Sequence, residues 1–230
     1  FLSVLRFDLA IIPKHDRPPK RRNVIATQGA LNLIDEQYLE EESRRLAGGL
    51  NLNAKNFHIG LLIGGDTKKF SLSQDTVLGV IKEIKSASGK FNADILVSTS
   101  RRTSEEIENI IKEEFKDYPA CKLLVIANEK NIPEVVAGIL GLSQIIVSSP
   151  ETISMISEAI NSKRYVLVFN SPGLSRRHRI FLEACAKNKY IYLSEAANLS
   201  KAIEDLWLNK PLIHATEDNL LVSEAIKKIL

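Results

Sequence analysis

The sequence has few cysteines and no long apolar run, and both absences narrow its class. Cys121 and Cys185 are the only cysteines among 230 residues, and neither lies in a CxxC pattern or at metal-ligand spacing from a histidine. This excludes a disulfide framework and is typical of a reducing compartment, so we predict a cytoplasmic protein. Because the chain has neither a run of about 18 apolar residues nor a signal-peptide pattern, no transmembrane helix is expected.

A strong charge imbalance is also missing. The formal net charge is +3, which is too small to indicate a nucleic acid partner by itself. The hydrophobic fraction of 44% and the charged fraction of 26% are ordinary for a soluble globular protein, so a disordered chain is excluded. The length allows one large or two small domains.

Several cofactor motifs are absent as well. The chain has no GxGxxG and no Walker loop, which disfavours a nicotinamide-dependent oxidoreductase or epimerase. It has no DxD motif and no cluster of metal-ligating residues. We therefore expect no cofactor and no metal, since arginines and a helix N-terminus can neutralise a diphosphate instead.

From residue 57 onward, apolar β-branched runs alternate with helical patterns. The runs are nearly continuous rather than alternating, as in strands buried on both faces. This predicts an α/β fold with a Rossmann-like, doubly wound parallel sheet. The predicted strands are 57–64, 93–100, 122–128, 144–149, 164–170 and 190–194. The predicted helices between and after them are 73–88, 103–116, 132–141, 152–161, 176–188 and 196–208.

The two ends of the chain have a different pattern. Residues 1–50 contain two strand-like segments around a basic loop and are expected to be the end of an upstream domain plus a linker. Residues 51–210 are the predicted nucleotide-binding domain, and 211–230 an amphipathic C-terminal helix that crosses back. The chain begins with Phe1, so we expect a piece of a longer protein.

Ligands of such sheets bind beyond the carboxyl ends of the strands, so the loops there are the candidate site. The first loop contains Gly64, Gly65 and Asp66. Glycines let the backbone approach a ligand and expose its N–H groups. The alternative is a tight turn with no ligand.

The second loop contains Ser100, Arg101 and Arg102, with Thr103 as the expected N-cap of the next helix. Arginine side chains bind phosphate oxygens through two parallel hydrogen bonds, and a helix N-terminus adds partial positive charge. The alternative is a solvated surface pair.

The third loop contains Ser149 and Thr152 and leads into a helix with Ser154 and Glu158. Hydroxyls and free N–H groups at a helix start suit a diphosphate. Glu158 lies about 9 Å further along the helix axis, where its carboxylate can accept hydrogen bonds from ribose hydroxyls. The alternative is an ordinary capped helix with a surface glutamate.

Six segments of the sequence together match a known pattern. They are PKHD (13–16), NVIATQGAL (23–31), IGGDTK (63–68), STSRRT (98–103), ANEKN (127–131) and TISMISEA (152–159). They resemble segments of one known family, the elongated-mitochondria fission proteins of plants and bacteria. The resemblance covers nearly the whole chain, and we interpret the chain as a bacterial member.

The resemblance implies the C-terminal, donor-nucleotide half of a B-type glycosyltransferase-like architecture. Ser149, Ser154 and Glu158 match the residues that hold the diphosphate and ribose in related enzymes, and Asn128 and Asn131 lie where the base is expected. No catalytic base is assigned, because adjacent His15 and Asp16 are poorly placed for a dyad and His178 is as easily a helix-start residue.

The leading hypothesis is therefore a metal-independent glycosyltransferase-like protein that binds a nucleotide sugar. The alternative is a non-catalytic peripheral membrane or scaffold protein, for which the basic loop 14–22 is the relevant feature. Basic clusters gain about 1 kcal/mol per charge near anionic lipid. A lipid-linked acceptor would need the same loop, so both hypotheses allow a position at the inner face of the membrane.

Overall fold

A six-stranded parallel sheet forms the centre of the computed structural model, which describes residues 3–52, 56–67, 70–130 and 132–229. The strand order is β5-β4-β3-β6-β7-β8, and a separate parallel pair is formed by β1 and β2. The strands are β1 Ala10–Pro13, β2 Val24–Thr27, β3 His58–Ile63, β4 Asp94–Thr99, β5 Cys121–Val125, β6 Ile145–Ser148, β7 Tyr165–Phe169 and β8 Tyr192–Ser194.

The central strands are buried on both faces, as their continuous apolar runs predict. All residues of β3, β4 and β6 are buried. Every strand of the large sheet pairs in parallel with its neighbour, and each is followed by a helix or a helical turn. The predicted α/β fold with a doubly wound parallel sheet is therefore confirmed.

Helices cover both faces of this sheet. They are α1 Glu36–Ala47, α2 Gln74–Phe91, α3 Glu105–Phe115, α4 Val135–Leu142, α5 Ile153–Asn161, α6 Arg176–Lys187, α7 Leu199–Asn209 and α8 Asp218–Lys227. Ile59, Leu61 and Ile63 pack with α2, α3 and α7 on one face, whereas Leu62 packs on the other with α4, α5, α6 and the preceding helix α1. None of the helices in the described ranges is both long and apolar enough to span a bilayer.

Helix caps show where local sequence was sufficient and where it was not. Ser73 caps α2, because its hydroxyl accepts from the N–H of Thr76. The predicted cap Thr103 is wrong: Ser104 caps α3, and the buried Thr103 hydroxyl donates to the carbonyl of Gly64. Thr152 occupies the N-cap position of α5 but makes no side-chain cap bond.

The first 35 residues and α8 contact each other. The carboxylate of Asp218, at the start of α8, accepts hydrogen bonds from the N–H groups of Gln28 and Gly29, both at 2.9 Å. Leu5 and Phe7 are 67% and 47% exposed, and Phe1 lies outside the described residues. The division into an upstream remnant, a nucleotide-binding domain and a returning helix stays a prediction.

Candidate functional site

The strand order has a topological switch point between β3 and β6. From β3 the chain winds outward through β4 and β5, then returns to the other side of β3 and continues through β6, β7 and β8. In open α/β sheets, ligands bind in the crevice beyond the carboxyl ends of the strands at such a point. The loops after β3 and β6 are those that contain Gly64 and Ser149, two residues that the sequence singled out.

The two glycines after β3 allow three loops to pack against each other. A Cβ atom on Gly64 would lie 2.0 Å from Glu151 Oε1, and one on Gly65 would lie 2.0 Å from the carbonyl carbon of Arg102. The N–H of Gly64 donates to Ser149 Oγ at 2.7 Å, and that of Asp66 donates to the Arg102 carbonyl at 2.9 Å. Because these two N–H groups have protein acceptors, the geometry favours the tight-turn interpretation, and direct ligand contacts by this loop stay a prediction.

The loop after β4 forms a turn stabilised by hydroxyl groups. Thr103 Oγ1 accepts from the N–H of Ser100 at 3.0 Å, and Ser100 Oγ accepts from the N–H of Arg102 at 3.2 Å. Arg101 and Arg102 are both exposed. Arg102 is the one whose backbone joins the loop after β3, since its carbonyl accepts from the N–H of Asp66.

The loop after β6 contains a buried acid that the sequence did not identify. Glu151 is 2% exposed, and its Oε1 accepts from Ser149 Oγ at 2.9 Å, whereas Oε2 has no hydrogen-bond partner among the described residues. Burial raises the pKa of Glu151 to about 6. The local sequence gives no sign that this glutamate is buried. The loop that covers it contains Gly64, which is distant from Glu151 in sequence.

Helix α5 begins at this loop, and its polar residues Ser154 and Glu158 lie outside its buried apolar face. Ile156 and Ile160 are buried, Ser154 is exposed and Glu158 is half-buried. No side chain caps the α5 N-terminus; α4, α7 and α8 are also uncapped, so its position at the switch point is what distinguishes α5. Burial, and secondarily the negative charge of Glu134, raise the pKa of Glu158.

Of the two asparagines predicted near the nucleobase, one lies within the described residues. Asn128 Nδ2 donates to Glu108 at 2.9 Å and to the carbonyl of Thr103 at 3.3 Å, so its amide is oriented toward α3. Asn131 lies outside the described residues. A base contact by either asparagine stays a prediction.

The two histidines near this edge are engaged in structural contacts. His178 Nδ1 lies 2.6 Å from the hydroxyl of Ser175, and the ring lies close to the backbone carbonyl of Glu151. His15 is buried, and its Nε2 lies 3.8 Å from Asp16, too far for a hydrogen bond. Burial lowers the pKa of both imidazoles, and neither forms a catalytic dyad here.

A cavity of 690 Å³ lies away from this site. It is bordered by the start of α1, the end of α5 and the residues that precede α8. Gly141 and Arg164, which line it, adjoin the amino ends of β6 and β7, and the Arg164 guanidinium donates to the carbonyls at the end of α4. The cavity is therefore at the opposite edge from the switch point.

Two solved structures share the fold. The UDP-GlcNAc 2-epimerase from Neisseria meningitidis, bound to UDP-GlcNAc, matches with a TM-score of 0.59 and 14% identity over 90% of this chain and 56% of its own. The UDP-GlcNAc 2-epimerase from Methanocaldococcus jannaschii matches with a TM-score of 0.55 and 10% identity over 82% and 50%. At these identities the likeness shows the fold alone, which is the predicted B-type glycosyltransferase-like fold.

Sequence comparison gives the family. The uncharacterized protein RP120 of Rickettsia prowazekii (strain Madrid E) is 24% identical over 213 residues, which are 90% of this chain. The chain spans 57% of the length of that relative. A sequence profile of the family described as Mitochondrial fission ELM1 matches residues 2–217. The chain belongs to the mitochondrial fission ELM1 family, as its loop segments predicted.

Proposed function

We propose that this chain binds the nucleoside diphosphate part of a nucleotide sugar and forms the donor half of a glycosyltransferase-like protein. The observation that carries the proposal is the N-terminus of α5. It lies at the switch point, no side chain caps it, and the exposed Ser154 lies in its first turn. Unpaired N–H groups and the helix dipole favour an anion at this position.

The positions of Glu158 and Arg102 extend the proposal. Glu158 is half-buried on the same helix, and its carboxylate makes no hydrogen bond with a described residue, so both oxygens can accept from ribose hydroxyls. Arg102 provides a positive charge on the neighbouring loop. The structurally similar epimerase from Neisseria meningitidis is bound to UDP-GlcNAc, which makes UDP a suitable probe. The sugar acceptor and the independence from metal stay predictions.

Isothermal titration of the chain with UDP, UDP-GlcNAc and uridine tests the proposal. We expect saturable binding of UDP and UDP-GlcNAc and much weaker binding of uridine, because the helix N-terminus acts on the diphosphate. If neither nucleotide binds at millimolar concentration to folded protein, the nucleotide-binding function is wrong.

In that event, the alternative is a non-catalytic protein that acts at a membrane or as a scaffold. The observation that favours it is the exposure of all five basic residues in loop 14–22: Lys14, Arg17, Lys20, Arg21 and Arg22.

A further inference from the structure

Two distant segments bring eight exposed basic side chains together. Arg177 at the start of α6 donates to both carboxylate oxygens of Asp16, with Nε–Oδ1 at 2.6 Å and Nη2–Oδ2 at 2.8 Å. This ion pair holds the basic loop against the first turn of α6. The eight residues, here called the basic surface, are Lys14, Arg17, Lys20, Arg21, Arg22, Arg176, Arg177 and Arg179.

The charge of the chain is concentrated on this surface. The eight basic residues and Asp16 together contribute +7. Of the 31 basic and 28 acidic residues in the chain, 23 and 27 remain elsewhere, which is a net charge of −4. The small total of +3 therefore conceals a strongly cationic face on an otherwise anionic protein.

The N-terminus of α6 has an unfavourable arrangement of positive charges, which binding of an external anion would relieve. Its first turn contains Arg176, Arg177 and Arg179 and no acidic residue. Positive side chains at a helix N-terminus oppose the helix dipole, which favours negative charge there. Asp16 compensates only for Arg177.

The position of the basic surface relates it to the candidate nucleotide site. Helix α6 begins just beyond the carboxyl end of β7, and His178 in its first turn lies close to the backbone carbonyl of Glu151 at the switch point. The basic surface therefore borders the same edge of the sheet as the nucleotide site.

Exposed apolar side chains lie beside the loop. Asn23 Nδ2, one residue after Arg22, donates to the carbonyls of Val4 and Phe7 at 2.7 and 2.9 Å. These bonds hold exposed Leu5 and Phe7 next to the end of the basic loop. Exposed leucine and phenylalanine beside arginine and lysine are typical of surfaces that enter the headgroup region of a bilayer.

We propose that the basic surface docks the protein on an anionic membrane, with the carboxyl edge of the sheet turned toward the bilayer. Eight cations on two segments form a target too broad for one phosphate group, and the neighbouring apolar side chains favour lipid over nucleic acid. Docking does not depend on nucleotide binding. One consequence does rest on the proposed function: a protein oriented in this way would use a lipid-borne acceptor.

Vesicle sedimentation tests the docking. The variants are Arg21→Gln/Arg22→Gln in the loop and Arg176→Gln/Arg179→Gln in α6, with intact folding confirmed by circular dichroism. The matched control is Lys82→Gln/Lys116→Gln, which removes the same charge from α2 and the end of α3, two helices on the opposite face of the sheet from α6. Vesicles contain phosphatidylcholine with 30% phosphatidylglycerol, or phosphatidylcholine alone.

We expect the chain to bind only the anionic vesicles, less strongly as salt rises. Each site variant should lower partitioning roughly 30-fold, since each cation contributes a factor of about five near anionic lipid, and the control should have little effect. The proposal is overturned if wild type ignores anionic vesicles, if the α6 variant binds like wild type, or if the control loses as much binding as the site variants.

Orientation on the bilayer is tested with an environment-sensitive fluorophore. Pro172→Cys places the label at the carboxyl edge between β7 and α6, and Pro119→Cys places it at the amino edge before β5. The background is Cys121→Ser, and the remaining Cys185 is buried. Quenching by spin-labelled lipid at position 172 but not at position 119 supports the proposed orientation. Equal quenching, or stronger quenching at position 119, contradicts it even if docking occurs.

Discussion

The N–H of Gly64 donates to the hydroxyl of Ser149 at 2.7 Å, and this bond joins the ends of β3 and β6 across the switch point. Ser149 is fully buried and also donates to Glu151. The two neighbouring loops at the centre of the carboxyl edge are thus fixed to each other before any ligand arrives. Because these two loops are already fixed, ligand binding would have to order fewer residues.

Ser149→Ala should destabilise the protein by about 1–3 kcal/mol, because the buried N–H of Gly64 then lacks its acceptor. Urea denaturation measures this change in the free energy of unfolding. Ser154→Ala is the control on the same side of the sheet; its exposed hydroxyl makes no bond with a described residue, so a change within about 0.5 kcal/mol is expected. Equal effects of the two substitutions would contradict the role given to Ser149.

Gly65→Ala should also be destabilising, by about 1–3 kcal/mol, because the new methyl group meets the Arg102 backbone, which cannot rotate away. Gly89→Ala is the matched control in α2, where the same methyl group meets nothing within 4 Å. It should stabilise the protein by about 0.5–1 kcal/mol through helix propensity. Thermal unfolding shows whether each variant is more or less stable than wild type. A Gly65→Ala protein as stable as wild type would disprove the loop packing.

Sequence patterns were sufficient to predict the fold, because the apolar pattern that specifies each strand and helix is local and recurs along the chain. Each central strand is a short apolar run, and each helix has its own apolar stripe, as in Ile156 and Ile160 of α5. Parallel pairing follows from burial on both faces. The helix start of α5 could be located for the same reason.

Contacts between loops could not be predicted in this way. Thr103 and Ser104 are both suitable caps by local rules, and the choice is made by the Gly64 carbonyl, to which Thr103 donates from 39 residues away. The burial of Glu151 and the closeness of Gly65 to Arg102 likewise depend on loops that are distant in sequence. The sequence therefore located the edge of the site but not the bonds that join its loops.

Stability should depend on the ionisation of Glu151. Its pKa in the folded protein is raised by burial to about 6 from 4.5. The protonated form is therefore favoured in the folded state, and its contribution is full below pH 4.5 and is lost as pH rises through about 6. The loss amounts to about 2 kcal/mol.

Glu151→Gln isolates this effect from that of other titrating groups. Denaturation of wild type and variant between pH 4.5 and 7 should show the variant gaining stability relative to wild type by up to about 2 kcal/mol as pH rises. A difference that is constant across this range would show that Glu151 does not titrate there.

Arg101 and Arg102 should contribute unequally to nucleotide binding. The Arg102 backbone packs against Gly65 and accepts from the N–H of Asp66 at the switch point. Arg102→Ala should weaken UDP binding by about 1.5–3 kcal/mol and leave uridine binding unchanged, because the guanidinium acts only on phosphate. Arg101→Ala should have the smaller effect in the same titration. A larger loss with Arg101→Ala would reverse the assignment.

Glu158 should select the ribose of the nucleotide. Its half-buried carboxylate has no hydrogen-bond donor among the described residues, and burial together with Glu134 raises its pKa, so donated hydrogen bonds would stabilise its ionised form. We expect wild type to bind UDP more tightly than 2′-deoxy-UDP, and Glu158→Ala to weaken UDP binding by about 1–3 kcal/mol with little effect on folding. The control is Glu129→Ala, whose carboxylate is ion-paired with Lys112.

The ratio of the two affinities, measured by calorimetry, separates a ribose contact from a general electrostatic effect. Removing a negative charge near a diphosphate should by itself strengthen binding of both nucleotides equally, since like charges repel. A ribose contact acts in the opposite direction, because its loss weakens UDP and leaves 2′-deoxy-UDP nearly unchanged. If Glu158→Ala binds both nucleotides more tightly than wild type, Glu158 lies beside the phosphates, and the orientation proposed for the nucleotide along α5 is wrong.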